Sequence, residues 1–247
     1  MDADPSKQIE KCRLTSFVTS SIPIYMIYDN EKTLTSGNYF SPGNTEVRYD
    51  HDSQRCLSKV VVVGNLVLGD TLLAEYTYEG NRLKTLKQYG RQYDINGGPS
   101  KKSIMNCKLY YNQSDLPDSM QVINSLLDST GKEHNSEPLR LDRFFFDGGD
   151  NLTKQETYIE DVNTRYVLVA SRYHTYDNKP NYLKKLKQIY FLIDQSIPYM
   201  FSKNNLLSTR HESPGKPSWE ISYEITYDGD LVKNDGMRFS EMKWSCD

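Results

Sequence analysis

Nucleophilic catalysis needs a serine or cysteine, a base beside it and a third group that orients the base. The chain offers four histidines, His51, His134, His174 and His211. By local composition His51 falls in a turn, and His134 and His211 fall in loops. His174 alternates along a strand, in phase with Arg172 and Tyr176 and out of phase with Tyr173. There is no G-x-S-x-G, no H-E-x-x-H and no glycine-rich phosphate loop. The best pair of carboxylates for glycoside hydrolysis is Glu220 and Glu224, which flank Ser222 beside Trp219. Residues i and i+4 of a strand stand about 13 Å apart at roughly 3.3 Å per residue. That is too far for a hydrolytic pair unless a neighbouring strand helps. The runs Asp147-Gly148-Gly149-Asp150-Asn151 and Asp50-His51-Asp52 carry oxygen ligands suited to calcium. They lack the full calcium-loop spacing, and turn chemistry explains each residue. The chain is therefore read as a non-enzyme. No catalytic, cofactor-binding or metal-ligating residue is assigned, no cofactor is expected, and ligand-binding residues are not specified.

Composition narrows the class. Of 247 residues, 37% are apolar, and the mean hydropathy of −0.70 is low for a two-layer globule. Tyrosine stands out with 19 copies against 8 Phe and 2 Trp. It suits a half-wet sheet, with a packed ring and a hydrated hydroxyl. The net charge is −3, from 30 basic and 33 acidic residues that are interspersed. The densest basic spot, Lys184-Lys185-Lys187, holds only three charges, so binding of nucleic acid is not expected. No apolar run is long enough to span a membrane as a helix. Cys12, Cys56, Cys107 and Cys246 lack zinc spacing. In an oxidising compartment they permit two disulfides, in any of three connectivities. Cys107 alternates with Met105, Leu109 and Tyr111, which favours a buried thiol.

One grammar repeats along the chain: alternating strand, aromatic, Asp/Glu/Asn, polar turn, leucine, alternating strand. It occurs at Tyr28-Asp29 to Leu34, Tyr49-Asp50 to Leu57, Tyr78-Glu79-Gly80 to Leu83 and Tyr111-Asn112 to Leu116. It returns at Phe146-Asp147 to Leu152, Tyr176-Asp177 to Leu183 and Tyr227-Asp228-Gly229 to Leu231. Period-2 alternation gives a strand with one buried face. Asp or Asn bonds its own backbone two residues on, and Gly or Asn supplies a positive φ. Asn124–Leu139 and Glu212–Ser218 read as loops. Apolar spacing over Leu183, Leu186, Ile189 and Tyr190 suggests a short helix or irregular excursion near Tyr182–Phe191, stopped before Pro198, with a further hairpin as the alternative because Leu186 also fits a strand.

This hairpin grammar resembles the YD (Rhs-type) repeat. "YDNKPNYLKKL" (Tyr176–Leu186), "FSKNNLLS" (Phe201–Ser208) and "YEITYDGDLV" (Tyr223–Val232), in that order, resemble the C-terminal half of a Bacteroidetes lipoprotein domain of unknown function. The proline of that pattern is displaced here to Pro180, before Asn181-Tyr182. The resemblance runs from about Lys11 to the C-terminus. It implies export and lipid anchoring in the periplasm or at the cell surface, by a signal and lipid-accepting cysteine removed from the N-terminus. It implies no reaction. Asp70-Thr71-Leu72, Asp118-Ser119-Met120 and Asp128-Ser129-Thr130 are similar to the O-glycosylation tripeptide of that phylum. Asn112-Gln113-Ser114 and Asn151-Leu152-Thr153 match the N-glycan pattern, and turn polarity explains them.

The expected fold is all-β: a long antiparallel meander of about seven hairpins, strongly curled, open or half-barrel-like, with at most one or two short helices. Residues 1–10 form a flexible N-terminal segment and 11–247 a single β domain. The expected function is non-enzymatic binding of a glycan, lipid or envelope protein on a curved sheet face. The membrane is reached only through the removed anchor. Two alternatives are a carbohydrate-active hydrolase built on Glu220 and Glu224, and a purely structural spacer of an envelope assembly.

Overall fold

The computed structural model describes residues 12–19, 22–30, 33–38, 46–65, 69–80, 82–92, 101–128, 130–135, 138–181, 201–236 and 239–246. The expected flexible segment 1–10, the lysine cluster and the expected helix at Tyr182–Phe191 lie outside the described residues. The strands, in chain order, are β1 Cys12–Thr19, β2 Ile22–Tyr28, β3 Leu34–Asn38, β4 Glu46–His51, β5 Leu57–Asn65 and β6 Gly69–Glu79. They continue as β7 Arg82–Gln92, β8 Lys101–Tyr111, β9 Pro117–Leu127, β10 Glu133–Asn135, β11 Arg140–Phe146 and β12 Leu152–Glu160. The last are β13 Tyr166–Pro180, β14 Asn204–Ser213, β15 Lys216–Ser222, β16 Thr226–Asp228, β17 Leu231–Asn234 and β18 Ser240–Cys246.

Most of these strands build one 16-stranded antiparallel sheet, in the order β15-β14-β13-β12-β11-β9-β8-β7-β6-β5-β4-β3-β2-β1-β18. Strand β10 pairs with the far end of β9, and β16–β17 is a separate two-stranded hairpin. The fold is the expected all-β meander. Its ladder does not close into a barrel, and β15 and β18 stand at its two ends.

Six of the reversals share one turn, and the sequence explains it. An Asp or Asn follows the strand, and its Oδ1 accepts the N–H groups two and four residues on. Asp52 does so from Gln54 and Cys56, at 2.9 Å each. Asn112 does so from Ser114 and Leu116, at 2.9 and 3.2 Å. Asp128 (2.8 and 3.0 Å), Asp147 (2.8 and 2.9 Å) and Asp161 (2.8 and 2.9 Å) repeat the pattern. Asp29 shows the second of these bonds, from Thr33 at 2.8 Å. In each, the backbone N–H of the first residue closes on the carbonyl four residues later. The residue before that carbonyl lies in the left-handed region at Arg55, Asp115, Gly131, Asp150 and Thr164, with φ between 62° and 84°. The side-chain oxygen satisfies N–H groups that no ladder can reach.

This turn resets several sequence boundaries. At the second copy the strand runs on to His51 and the turn begins at Asp52, not Asp50. Within the Asn124–Leu139 stretch, read as a loop, Asp128 turns β9 into β10. The Glu212–Ser218 stretch is also a hairpin, because Pro214-Gly215, with Gly215 at φ 71°, pairs Ser213 with Lys216. The two tight turns expected at Glu79-Gly80 and Asp228-Gly229 form as read, with Gly80 and Gly229 near φ 60°. The sixth copy does not turn at all: Tyr176-Asp177-Asn178 lies inside β13.

The apolar face is the tyrosine face at the Tyr78-Glu79-Gly80 repeat, where Tyr76 is buried and Thr77 is exposed. One buried cluster gathers Val47, Val60, Tyr76, Leu86, Cys107, Met120, Phe144 and Leu152 from strands β4 to β12, together with Phe201. A second joins Leu14, Phe17, Ile24 and Leu34 of β1–β3 to Leu206 of β14, Val232 of β17 and Met242 of β18. Opposite ends of the sheet thus share a core, so the sheet curls around its own apolar face. Cys12 and Cys246 form a disulfide across the β1–β18 ladder, 234 residues apart in sequence. Cys56 and Cys107 are thiols. Burial pushes the Cys107 thiol up to about 12, as a buried, unreactive thiol requires.

Three outcomes test this account. Replacing Thr164, a β-branched residue held at φ 62°, by Gly removes strain and raises stability by roughly 1 kcal/mol, read as a higher Tm. Asp161→Ala lowers Tm in the same assay, because two turn N–H groups lose their acceptor. Reducing the disulfide, or a Cys12→Ser/Cys246→Ser variant, lowers unfolding free energy by up to roughly 5 kcal/mol on the chain-entropy model. Urea titration with and without reductant measures it.

Candidate functional site

Two places gather functional groups: a depression on the polar face and a polar seam beside the β16–β17 hairpin. The depression, about 520 Å³, crosses β5 to β9. Alternation builds it. Tyr76, Leu86 and Cys107 send their side chains to the core. Their neighbours Glu75, Thr77, Thr85, Lys87, Asn106 and Lys108 point to the other side, where Lys59, Gln121 and Ile123 join them.

Its groups are largely matched to one another. Thr77 and Thr85, facing each other across β6–β7, share a hydroxyl hydrogen bond of 2.6 Å. Glu75 lies 3.8 Å from Lys59 and accepts the Tyr89 hydroxyl. From the rim, Glu133 of β10 accepts from Lys87 at 2.7 Å and from Asn106 at 3.3 Å. The Lys87 hydrogen bond holds the Glu133 carboxyl below its usual range. The Tyr110 hydroxyl donates to Gln121 Oε1 at 2.8 Å, and Lys108 Nζ sits 5.0 Å from the centre of the Tyr110 ring.

The seam collects all three segments that carry the family resemblance. Asp177 Oδ1 accepts the Lys179 N–H at 3.0 Å, the same short-range bond that begins a turn. Here β14 adds donors: Asn205 gives its backbone N–H to Oδ1 at 3.1 Å and its amide to Oδ2 at 3.3 Å. Cross-strand pairing wins over chain reversal, and the local bond survives as an irregularity in register between Tyr176 and Pro180. The Tyr227 hydroxyl of β16 also donates to Asp177. Burial and then that carboxylate raise the Tyr227 pKa. Lys179 Nζ lies 4.3 Å from the centre of the Tyr227 ring and donates to the Gly229 carbonyl at 2.9 Å. Asn151 and Asn204 exchange two hydrogen bonds of 2.9 and 3.0 Å. The Ser202 hydroxyl donates to Tyr176, whose own hydroxyl donates to the Leu152 carbonyl. The network joins β12, β13 and β14 to the hairpin. Nothing in the repeat grammar signals it, because apart from the local Asp177–Lys179 bond its partners are 21 to 53 residues apart, as Asn181 and Ser202 (21) or Asn151 and Asn204 (53) are.

The sequence candidates fall apart in space. Glu220 stands opposite Arg210 in the β14–β15 register. Glu224 lies beyond the strand and lines a separate depression of about 600 Å³ with Ser222, Asn234 and Phe239, which Glu220 does not line. A Cβ on Gly236, at φ 72°, would stand 2.4 Å from the Glu224 backbone nitrogen, so that close approach requires glycine. In the run weighed for calcium and read as turn chemistry, Asp147 Oδ1 is taken by the turn, the Asp150 carbonyl accepts from Lys203, and Asn151 binds Asn204. Asp50 pairs with Arg48 at 2.8 Å, and Asp52 caps its own turn. Among the described residues no three metal-ligating side chains converge. His211 is not in a loop: it lies on β14 and stacks on Trp219, with ring centres 3.8 Å apart. His51 ends β4 and His134 lies on β10. His174 is buried on β13, with Nδ1 3.0 Å from the Thr209 hydroxyl. Burial, then the charges of Arg172 and His211, push its pKa down to about 3.

No protein-family model and no curated protein matches the chain. Among solved structures, a porin-like protein of Bacteroides vulgatus superposes with a TM-score of 0.57 at 11% identity, over 94% of this chain and 98% of that one. A porin-like protein of Bacteroides uniformis gives 0.40 at 10% identity, over 96% and 95%. The Photorhabdus luminescens Tc holotoxin pore gives 0.26 at 11% identity, over 85% of this chain and 10% of that one. The first of these shows a shared fold.

Two measurements test the site's construction. Asp177→Ala strands the Asn205 and Tyr227 donors and costs roughly 3 kcal/mol, with faster hydrogen exchange in β16–β17 than elsewhere. His174 is neutral when folded and its pKa is lowered. Its contribution is therefore full above the ordinary value of 6.5 and is lost as pH falls toward 3. Between pH 7 and 4 the protein loses up to about 3 kcal/mol through this group, and His174→Gln flattens that slope in urea titrations.

Proposed function

We propose that this chain is a non-enzymatic, exported protein of the cell envelope that binds a ligand in the polar depression of β5–β9. The depression carries the reading. It has the volume of a small-ligand site, and rigid strands hold its polar groups in place. The ligand is a glycan, lipid or envelope protein, and the chain works as a lipoprotein of the periplasm or cell surface.

Three observations support export without a membrane-spanning sheet. The Cys12–Cys246 disulfide suits an oxidising compartment. The three segments that resemble the Bacteroidetes lipoprotein domain meet in one network, as segments that share a structural task should. The side of the sheet away from the core carries Lys59, Lys87, Lys108, Lys154 and Arg210 within strands. A transmembrane β-barrel faces lipid with an apolar band, where each Lys or Arg at the midplane costs about 2–4 kcal/mol. No helix among the described residues is long and apolar enough to cross a membrane.

Screening the purified chain against arrays of glycans, lipids and envelope extracts is expected to give at least one ligand that is bound and not turned over. Thr77→Trp, which fills the depression, abolishes that binding while Tm is kept. Binding that Thr77→Trp leaves intact, or turnover of the ligand, overturns the reading; no binding at all favours the structural spacer. Expression of the gene in its own cell, with fatty-acid labelling and fractionation, places the product in the lipid-labelled envelope fraction if the anchor assignment holds.

A further inference from the structure

We infer that the depression takes an acidic glycan, one whose sugar carboxylate is held by Lys108 and the amide of Gln121. The inference rests on the ligand-binding reading above and names its substrate class. Charge accounting points to it. Three lysines line the depression, Lys59, Lys87 and Lys108, and two carboxylates, Glu75 and Glu133, face them. Both carboxylates are engaged, Glu75 by Lys59 and Tyr89, Glu133 by Lys87 and Asn106. Lys108 is left over. Among the described residues it has no carboxylate partner, and its Nζ lies 5.0 Å from the centre of the Tyr110 ring.

Gln121 stands directly opposite Lys108 in the β8–β9 register, and both line the depression. Its Oε1 is occupied by the Tyr110 hydroxyl, which fixes the amide so that its NH₂ is the end still able to donate. An ammonium and an amide NH₂ on neighbouring strands form a donor pair for one carboxylate, with a charge-assisted hydrogen bond from the lysine. The rest of the lining fits a sugar better than a bare anion. The Thr77–Thr85 hydroxyl pair and Asn106 can serve ring hydroxyls. Ile123 and the lysine stems offer apolar surface to the C–H face of a ring. Tyr110, with 36% of its surface exposed, stands beside the lysine as a stacking platform.

The experiment is a calorimetric titration of the whole chain with three probes at matched length: an oligogalacturonate, a neutral gluco-oligosaccharide and an oligoglutamate peptide. Oligogalacturonate is expected to bind at least about tenfold more tightly than either other probe, and more weakly as salt is raised. Lys108→Gln is expected to cost about tenfold or more for oligogalacturonate, and Lys108→Arg to restore most of it, with Tm unchanged in both. Equal binding of the neutral sugar, insensitive to Lys108→Gln but abolished by Thr77→Trp, overturns the acidic-glycan assignment and leaves the ligand-binding reading standing. Equal or tighter binding of oligoglutamate overturns it in favour of an acidic peptide partner. Failure of all three probes, in a chain that binds some other array ligand at the depression, also overturns it.

Discussion

An antiparallel sheet that is apolar on one side must hide that side, and among the described residues the cover from outside the large sheet is small and includes Val232 of the β16–β17 hairpin and Phe201. For the rest the sheet covers itself. Leu206 of β14 and Leu14 of β1 belong to one buried cluster although their strands lie near opposite ends of the ladder. The rest depends on that curl. It can be held only if the ends of the ladder are fastened, because the backbone hydrogen bonds stop short of closing the ring. Strand β18 returns from the end of the chain to pair with β1, and the Cys12–Cys246 bond ties the two together. At the other side, the β16–β17 hairpin is linked to β13 and β14 through Asp177, Lys179, Asn205 and Tyr227, and to β18 through the Trp244 indole N–H on the Val232 carbonyl at 2.9 Å.

Fastening by side chains has a different character from fastening by a ladder. A ladder is indifferent to residue type, whereas the seam needs its particular amides, carboxylate and phenols, each satisfied by another. Buried polar networks of this kind are costly when incomplete and rigid when complete. That explains why the segments with the most distinctive sequence, "YDNKPN" and "FSKNN", belong to the seam and contribute nothing to either depression. Their distinctiveness reflects closure of the fold. The polar depression is made of common residues, lysine, glutamate, threonine and asparagine, whose arrangement on five adjacent strands is its only specialised feature.

The same turn, used repeatedly, lets so many strands follow one another. Its Asp or Asn satisfies two N–H groups locally, so each reversal is self-sufficient and asks nothing of the core. Non-glycine residues are tolerated at the left-handed position of Arg55, Asp115, Asp150 and Thr164 because the surrounding bonds over-determine the loop. With reversals this short, neighbouring strands in sequence become neighbours in space, and the meander follows.

The sequence by itself determined the all-β class, the alternating buried face and most of the hairpins. These depend on period-2 patterning and on bonds spanning two to four residues, such as Asp147 to Gly149 and Asn151. It also marked Cys107 as a buried thiol and read His174 into a strand. Tertiary structure decided what rests on long separations. It chose the Cys12–Cys246 pairing among the alternatives. It kept Asp177 in a strand where local grammar expected a turn, because Asn205 and Tyr227 supply donors that the local sequence does not contain. It moved His211 from a presumed loop onto β14 against Trp219, and it set Glu220 and Glu224 in separate surroundings. It assembled Lys59, Glu75, Lys87, Lys108 and Gln121 into one depression. Each of those groups comes from a different strand, and only the register between strands brings them within reach of each other.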